Sequence, residues 1–564
     1  MKKVRALLRL WRWLGRKKTS GGQLPGDDSR AVNHRLEVNI AYIKKAFGRS
    51  EDLVIREIEL PGRKLALVYV ETLIDRDVVQ RDILRSLLAL QTIPLPEDEA
   101  GFNRLLRARL TIGDLQEEQL WSKIITGLLD GKAVLIGEGF SRCLLLSVEG
   151  WEKRPVEEPV NEVSIRGPRE GFAENLPTNI SLIRRRLRAP ELRFETMNLG
   201  RRTHTKVVIC YLEGLALPGV LEELRRRLER IDIDGVLESG YIEELIEDAP
   251  FSPVPQLNRT ERPDKLVADL LEGRIGVLTD GTPFALVLPG SLVSQLHAPD
   301  DYYERWPLSM GIRLFRFFGL FIALLLPSVY VAWTSYHQEM IPTPLAISIA
   351  AQRELVPYPA VVEALIMQVL FEILIEAGIR LPRAIGTAIS IVGALVIGEA
   401  AVRAGLMSAA MVIVISATAI ASFTIPTFGL SQAVRMLRLP MIFLAGVLGL
   451  LGIFAGLMAL LIHLVSLRNF GEPYLSPLAP FIWEGHKDLV ERVPWWAMHW
   501  RPVLPGRQDL RRIKPGLRPS TTARERKPGE ELETYLGEEA GKSITTVTTP
   551  KKGRKKRKKG WIKI

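Results

Sequence analysis

The sequence predicts a duplicated α/β domain on the cytoplasmic side, then an α-helical polytopic membrane domain and a disordered basic C-terminal tail. Three observations predict this fold class: segments recur in the N-terminal half, apolar runs dominate from Phe317 to Leu467, and the end of the chain is rich in Pro, Gly and Lys. Several of the apolar runs approach or exceed the length of a membrane span, which argues against a purely soluble enzyme.

The composition excludes several other classes of protein. The chain has 564 residues, with 76 Lys and Arg against 64 Asp and Glu, a net charge of +12 and two cysteines. These values exclude a disulfide scaffold, a coiled coil, a collagen-like chain and a fully disordered protein. Cys143 and Cys210 lie in apolar runs typical of strands, so we expect two buried, reduced thiols.

An internal duplication organises the N-terminal half. Three pairs of similar segments follow in the same order at nearly constant spacing: Leu36–Phe47 with Leu176–Leu187, Lys64–Leu73 with Lys206–Leu215, and Leu128–Leu135 with Leu270–Leu278. We therefore predict two copies of one fold. Tyr69 and Tyr211 should lie on equivalent strands. Gly131 and Gly273 should follow equivalent helices in the left-handed conformation.

Each copy is predicted to have the order helix, strand pair, helix, helix, strand pair. In the first copy the strands are Leu53–Leu60, Lys64–Val70, Ala133–Ile136 and Arg142–Val148, and the later helices are Asp77–Leu90 and Asp114–Leu129. Neither copy contains a dinucleotide-binding glycine motif, a phosphate-binding loop, a nucleophile elbow or a zinc-protease motif. We therefore expect no enzymatic activity, no metal and no cofactor, and a role in sensing or assembly.

The predicted boundaries divide the chain into seven parts. A basic N-terminal segment with a linker occupies 1–33, the α/β copies occupy 34–155 and 175–290 around a linker at 156–174, the membrane domain occupies 300–480, a juxtamembrane segment 481–504 and the tail 505–564. Met1–Ser20 suits either a helix on an anionic membrane surface or a solvated basic tail. For the basic cluster Lys551–Lys559 we expect contact with lipid or another polyanion rather than specific recognition of nucleic acid.

Four uncharged stretches are predicted to cross the membrane. They are Phe317–Trp333, Ala384–Gly398, Met407–Leu430 and Leu439–Leu467. Between the first two lies 359–380, an apolar but acidic stretch predicted to be an amphipathic or re-entrant helix. In the last stretch, Gly452 and Gly456 have the spacing that lets helices approach closely.

The charge pattern gives conflicting indications of topology. Four spans place both termini in the cytoplasm, as the basic tail favours, but they leave Arg435 and Arg438 outside, against the positive-inside tendency. A fifth span at 359–380 would bring these arginines inside and send the C-terminus out. The larger charge of the tail favours four spans.

Four acidic residues near the apolar stretches form the candidate site: Glu363, Glu372, Glu376 and Glu399. On a helix, Glu372 and Glu376 share a face, and Glu363 lies on the opposite side. Acids at membrane depth tend to face protein or water, and rings of carboxylates suit a cation pore. The four residues are therefore candidates for an ion pathway.

The same acids also admit a structural interpretation. They would then meet water at the surface of an amphipathic helix, or form ion pairs within helices. In this interpretation Glu372 and Glu376 pair with Arg380 and Arg383. Glu399 pairs with Arg403.

Several motifs resemble a known family. They are Tyr336–Thr343 (YHQEMIPT), Ser348–Pro357, Val362–Pro382, Ser390–Val402, Ala421–Pro426 and Ser466–Pro477, with Ile165–Phe172, Asn179–Leu187 and Asp280–Phe284 upstream. Together they span about residues 35–500, and they resemble the A subunit of GerA-type spore germination receptors. This chain differs from the commoner family pattern at Leu355 and at Glu399, where an acid replaces a neutral amide.

The resemblance implies a multi-pass protein of the spore inner membrane with both termini in the cytoplasm. It implies a homo-oligomer, a pentamer, that forms a nutrient-gated ion channel together with a transporter-like B subunit and a lipoprotein C subunit. An alternative is a germination paralogue of the same family that amplifies the release of ions or dipicolinate. A secondary transporter is disfavoured, because four or five spans are too few for the usual inverted-repeat designs.

Overall fold

The structure, a computed structural model, describes residues 30–94, 96, 98–150, 158, 159, 162, 164–380, 396–501, 509, 511–514 and 517. Several expectations therefore lie outside the described residues. They concern Met1–Ser20, most of the predicted span Ala384–Gly398, Arg383, and nearly all of the tail including Lys551–Lys559.

Two α/β regions with one topology make up the N-terminal half. The first contains α1 (Leu36–Phe47), β1 (Leu53–Leu60), β2 (Arg63–Val70), the helical run α2 (Arg76–Val78, Val79–Leu84 and Arg85–Ala89), α3 (Glu99–Arg109), β3 (Leu115–Glu118), α4 (Trp121–Leu129), β4 (Lys132–Gly137) and β5 (Cys143–Ser147). The second contains α5 (Leu176–Arg186), β6 (Leu192–Leu199), β7 (Thr205–Leu212), α6 (Pro218–Glu229), α7 (Ser239–Ile246), β8 (Asn258–Thr260), α8 (Pro263–Leu271), β9 (Ile275–Thr279) and β10 (Ala285–Leu288).

The strand orders confirm the predicted duplication. The sheets run β1-β2-β4-β5-β3 and β6-β7-β9-β10-β8, with every neighbouring pair antiparallel. Tyr69 and Tyr211 lie on the equivalent strands β2 and β7. Gly131 and Gly273 follow the equivalent helices α4 and α8 with φ of 90° and 82°, a conformation that favours glycine.

One predicted helix is wrong at its start. The segment Leu115–Glu118, assigned to a helix over Asp114–Leu129, is the edge strand β3, and the helix begins only at Trp121. The segment pairs with β5, where Glu117 lies opposite Leu144. Its conformation therefore depends on the open edge of a distant strand, which local spacing does not reveal. Helix α3 was not predicted.

Each sheet is covered by helices on both faces. Along β2, Leu65 and Leu67 enter a core with Phe102, while Ala66 and Val68 enter a second core on the other face. Strand β7 divides its side chains between two cores in the same way. This follows from the two-residue side-chain period of a strand, and it explains why β2 and β7 are largely apolar after their first two residues.

A buried ion pair joins the two α/β regions. Nε and Nη2 of Arg184 in α5 donate to the two carboxylate oxygens of Asp52 at 2.8 and 3.0 Å, and Nη2 also donates to Ser50 Oγ. Arg184 has no exposed surface. At the edge of the same contact, Arg188 pairs with Asp130 at 2.5 Å, but its side chain is 61% exposed.

A helical region follows the α/β regions. It contains α9 (Leu292–Leu296), α10 (Asp300–Tyr303), α11 (Trp306–Ser335), α12 (Thr343–Arg353), α13 (Ala360–Arg380), α14 (Val396–Ala400 and Ala401–Arg403), α15 (Ala409–Ser422), α16 (Phe428–Leu448) and α17 (Leu450–Ser466), and it is followed by β11 (Arg468–Asn469), β12 (Glu472–Pro473) and α18 (Trp483–His486). Of the described helices, α11 and α16 are long and apolar enough to cross a membrane, and α15 and α17 are shorter apolar helices.

Two of the predicted spans do not coincide with single helices. The stretch Met407–Leu430 holds α15, which ends at Ser422, and the beginning of α16. The stretch Leu439–Leu467 is broken at Gly449, whose φ is 62°, between α16 and α17. A glycine permits this break without steric cost, although hydropathy continues across it.

The glycine spacing in α17 has the predicted effect. A Cβ atom on Gly452 would clash with the carbonyl group of Leu444, and one on Gly456 would clash with Sδ of Met441. The missing side chains thus let α17 pack directly against α16.

The buried ion pair leads to a stability prediction. Arg184→Met should lower the free energy of unfolding by about 3–5 kcal/mol, because it leaves the carboxylate of Asp52 buried without its cation. Arg188→Met, which removes an exposed pair across the same contact, should cost less than about 1 kcal/mol. Denaturant unfolding of the two variants checks this, and equal losses would contradict the assignment.

Candidate functional site

Glu363 is a buried structural residue of the helical region. It has no exposed surface, and its Oε1 accepts hydrogen bonds from the backbone N–H and the hydroxyl of Ser408, both at 2.6 Å. Ser408 is in turn the N-cap of α15 and accepts from the N–H of Met411. Arg353 lies 3.8 Å from the other oxygen of Glu363. The carboxylate therefore fixes the start of α15 against α13 and α12.

Glu372 and Glu376 lie together on the other side of α13, as the helical spacing predicts. Both line a cavity of about 600 Å³ between α13 and α16, whose remaining lining is mainly apolar. Oε1 of Glu372 pairs with Nη1 of Arg435 at 2.9 Å, and the Glu372 side chain is 46% exposed. The structural interpretation predicted that Glu372 pairs with an arginine close to it in sequence, Arg380 or Arg383. The structure instead pairs Glu372 with an arginine of α16.

Arg438 lies one turn after Arg435 and is fully buried. Its Nε donates to the carbonyl oxygen of Ala323, its Nη1 to Oε1 of Gln368 and its Nη2 to the hydroxyl of Ser422, at 2.6, 3.0 and 2.7 Å. These three groups are uncharged and belong to α11, α13 and α15.

The placement of the two arginines corrects the sequence interpretation. Arg435 and Arg438 were treated as residues of a connecting segment outside the membrane, but both are buried inside the helix α16. A helix can continue through charged positions when neighbouring helices supply partners for the charges. The sequence does contain a signal for these buried polar contacts. Isolated polar residues interrupt the apolar stretches at Gln368, Arg435 and Arg438.

Glu399 is not part of the lining of the cavity between α13 and α16. It is exposed and pairs with Arg403 one turn later in α14, as the structural interpretation predicted. The structure therefore brings two of the four predicted acids, Glu372 and Glu376, to one cavity. Within the described ranges, no group of three His, Cys, Asp or Glu side chains is placed to hold a metal ion.

A second charged cluster connects the start of α11 to the rest of the chain. Asp301 accepts from Arg313 at 3.1 Å and from Arg316 at 2.8 Å, and Arg313 also pairs with Asp488 at 2.9 Å. The hydroxyl of Tyr302 donates to Asp488. Asp301 in α10 therefore binds both arginines that precede the first apolar stretch, and Asp488, which follows α17, binds Arg313.

The similarity of this chain to known proteins identifies its family. The Bacillus/Clostridium GerA spore germination protein family matches residues 41–504. The chain belongs to this family. It is 45% identical over 505 residues to spore germination protein KA of Bacillus subtilis (strain 168), covering 89% of this chain and 92% of that protein. It is 40% identical to spore germination protein GerLA of Bacillus cereus, covering 82% and 93%.

A solved structure also resembles part of this GerA-family chain. It is the crystal structure of the N-terminal domain of the A subunit of the Bacillus megaterium spore germinant receptor GerK3. The identity is 35%, with coverage of 46% of this chain and 96% of that chain and a TM-score of 0.37.

His297, which lies beside the cluster at the start of α11, leads to a pH prediction. Burial, with the nearby charge of Arg313 as the second cause, lowers the pKa of His297 from 6.5 to about 4, although Asp488 and Asp301 oppose this. The folded protein keeps the ring neutral, while the unfolded chain binds a proton below about pH 6.5. The free energy of unfolding should therefore fall by up to about 3 kcal/mol between pH 6.5 and pH 4.

The variant His297→Gln separates this effect from other acid-sensitive groups. Its unfolding free energy, measured by denaturant titration at several pH values, should lack this part of the pH dependence. An identical slope in both proteins would show that His297 does not titrate as described.

Proposed function

We propose that this GerA-family chain is the A-type, multi-pass membrane subunit of a spore germinant receptor. In this proposal it assembles with copies of itself around an ion path that opens when nutrient is sensed. The observation that carries the proposal is the cavity between α13 and α16 that Glu372 and Glu376 line.

The surface of the helical region supports insertion in a bilayer. Large apolar side chains are exposed along α11, α16 and α17, among them Phe315, Phe318, Phe321, Phe443, Phe454 and Ile462. A soluble protein rarely exposes so much contiguous apolar surface. Lipid would cover it, and the two long helices α11 and α16 are the proposed principal spans.

The charge arrangement supports conduction of cations. Glu372 is partly exposed at the cavity, while the charges of Arg438 and Glu363 are fully buried and engaged in hydrogen bonds. In a symmetric oligomer each exposed acid is repeated around the axis, which concentrates cations at the mouth of a pore. We therefore propose that the ion path passes Glu372 and Glu376, and that the ion pair with Arg435 holds the side chain of Glu372 in place.

Membership of the family supports the proposed assembly and location. The relatives KA and GerLA are named as spore germination proteins, and this supports a role in germination. We propose a pentamer in the spore inner membrane, with a transporter-like B subunit and a lipoprotein C subunit as partners. The α/β regions would lie in the cytoplasm together with the C-terminus.

The ion path leads to a prediction in spores. Glu372→Gln and Glu376→Gln should each slow the release of potassium after addition of nutrient by about tenfold, because they remove charges that concentrate cations at the path. The rate is measured by potassium efflux from sporulated cells that carry each variant at the normal protein level.

Two other glutamates supply controls of the same chemistry. Glu399→Gln should leave the rate of release unchanged, because it removes an exposed ion pair away from the cavity. Glu363→Gln should lower the amount of folded protein, because it weakens the contact with Ser408. Normal release from both Glu372→Gln and Glu376→Gln would remove these residues from the ion path.

A further inference from the structure

A second cavity lies where the second α/β region meets the start of the helical region. Its volume is about 260 Å³, close to the lower end of small-molecule sites at about 300–1,000 Å³. One wall is formed by Ala268 of α8 and by Glu272, which directly follows this helix. The other walls are the connection from Pro289 to Tyr303 and the segment after α17. Three parts of the chain that are distant in sequence therefore meet around one space.

Most charges at this cavity are already paired with groups in its walls. Asp264 pairs with Arg262 and accepts from the hydroxyl of Tyr303. Asp488 pairs with Arg313, and Lys265 pairs with Glu162 at 2.6 Å. These groups hold the walls together and leave little capacity for a ligand.

Glu272 is different because only one of its oxygens is engaged. Oε1 pairs with Arg512, while Oε2 is buried and has no hydrogen-bond partner among the described residues. Leaving a carboxylate oxygen buried without a donor is costly. Burial also raises the pKa of Asp269, one turn earlier on α8, even though Arg274 is near. The α8 wall thus has a buried carboxylate oxygen that lacks a hydrogen-bond donor among the described residues.

The aromatic residues of the cavity favour the same chemistry. The guanidinium of Arg512 lies 5.7 Å from the ring centre of Trp495 while it pairs with Glu272. The chain itself therefore places a cation between this carboxylate and an aromatic face, an arrangement that stabilises organic cations. The remaining lining is mainly apolar, with Val293 and Pro477 among its residues.

We propose that this cavity binds a small organic cation, an amine that donates to Oε2 of Glu272 while its apolar body packs against Val293, Pro477 and Trp495. Such a ligand joins α8, the connection before α11 and the segment after α17. Its binding therefore stabilises the docking of the second α/β region at the start of α11. The proposal does not depend on ion conduction by the helical region.

Binding of phenethylamine to the full-length protein in detergent tests the proposal. Phenethylamine should raise the melting temperature in a saturable manner, because it binds the folded state. Phenethyl alcohol and 3-phenylpropionate have the same aromatic body without the positive charge, and they should bind at least tenfold more weakly. Equal shifts with the alcohol or the carboxylate, or no saturable shift with the amine up to 10 mM, would overturn the proposal.

Three variants locate the binding. Glu272→Gln should weaken binding of phenethylamine at least tenfold, and Ala268→Phe should abolish it by filling the cavity from the exposed side of α8. Glu223→Gln is the matched control, since Glu223 pairs with arginines and has a similar exposure, 24% against 21%, but lies outside this cavity. Binding that survives both cavity variants, or that is lost in Glu223→Gln, would contradict the assignment.

Discussion

The guanidinium of Arg438 is the interaction on which the arrangement of the helical region depends. A buried arginine is tolerated only when its N–H groups find acceptors. Arg438 meets this requirement with one acceptor from each of three helices, through Ala323, Gln368 and Ser422. Helix α16 is therefore fixed at once to α11, α13 and α15. A shift of any one of these helices would leave a buried donor without its acceptor.

This constraint also determines which charges remain available for function. Arg438 uses uncharged partners, so the carboxylate of Glu372 is left for Arg435 at the wall of the cavity. That ion pair is partly exposed, and it can therefore be broken at lower cost than the contacts of Arg438. At the other end of α11, Asp301 holds Arg313 and Arg316, and through Arg313 the helix is joined to Asp488. Tyr303, which also lies in α10, donates to Asp264 in α8, so α10 contacts both the second α/β region and α11.

Much of the fold could be predicted from the sequence because the relevant signals are local or repeated. The duplication identified both sheets, and the spacing of acids in 359–380 correctly separated Glu363 from Glu372 and Glu376. The strand Leu115–Glu118 could not be predicted, because it depends on an edge of β5 that exists only in the folded sheet. The break at Gly449 was hidden by continuous hydropathy. The partners of Glu363 and Arg438 come from helices distant in sequence, so a single sequence does not reveal them.

Electrical recording tests the central claim most directly. The full-length protein, reconstituted with its B- and C-type partner subunits in a planar bilayer under a potassium gradient, should conduct when nutrient is added. The reversal potential should indicate selectivity for cations, and the double variant Glu372→Gln/Glu376→Gln should reduce that selectivity. Absence of nutrient-dependent current, or a reversal potential that is the same in the wild type and the double variant, would contradict an ion path at these two glutamates.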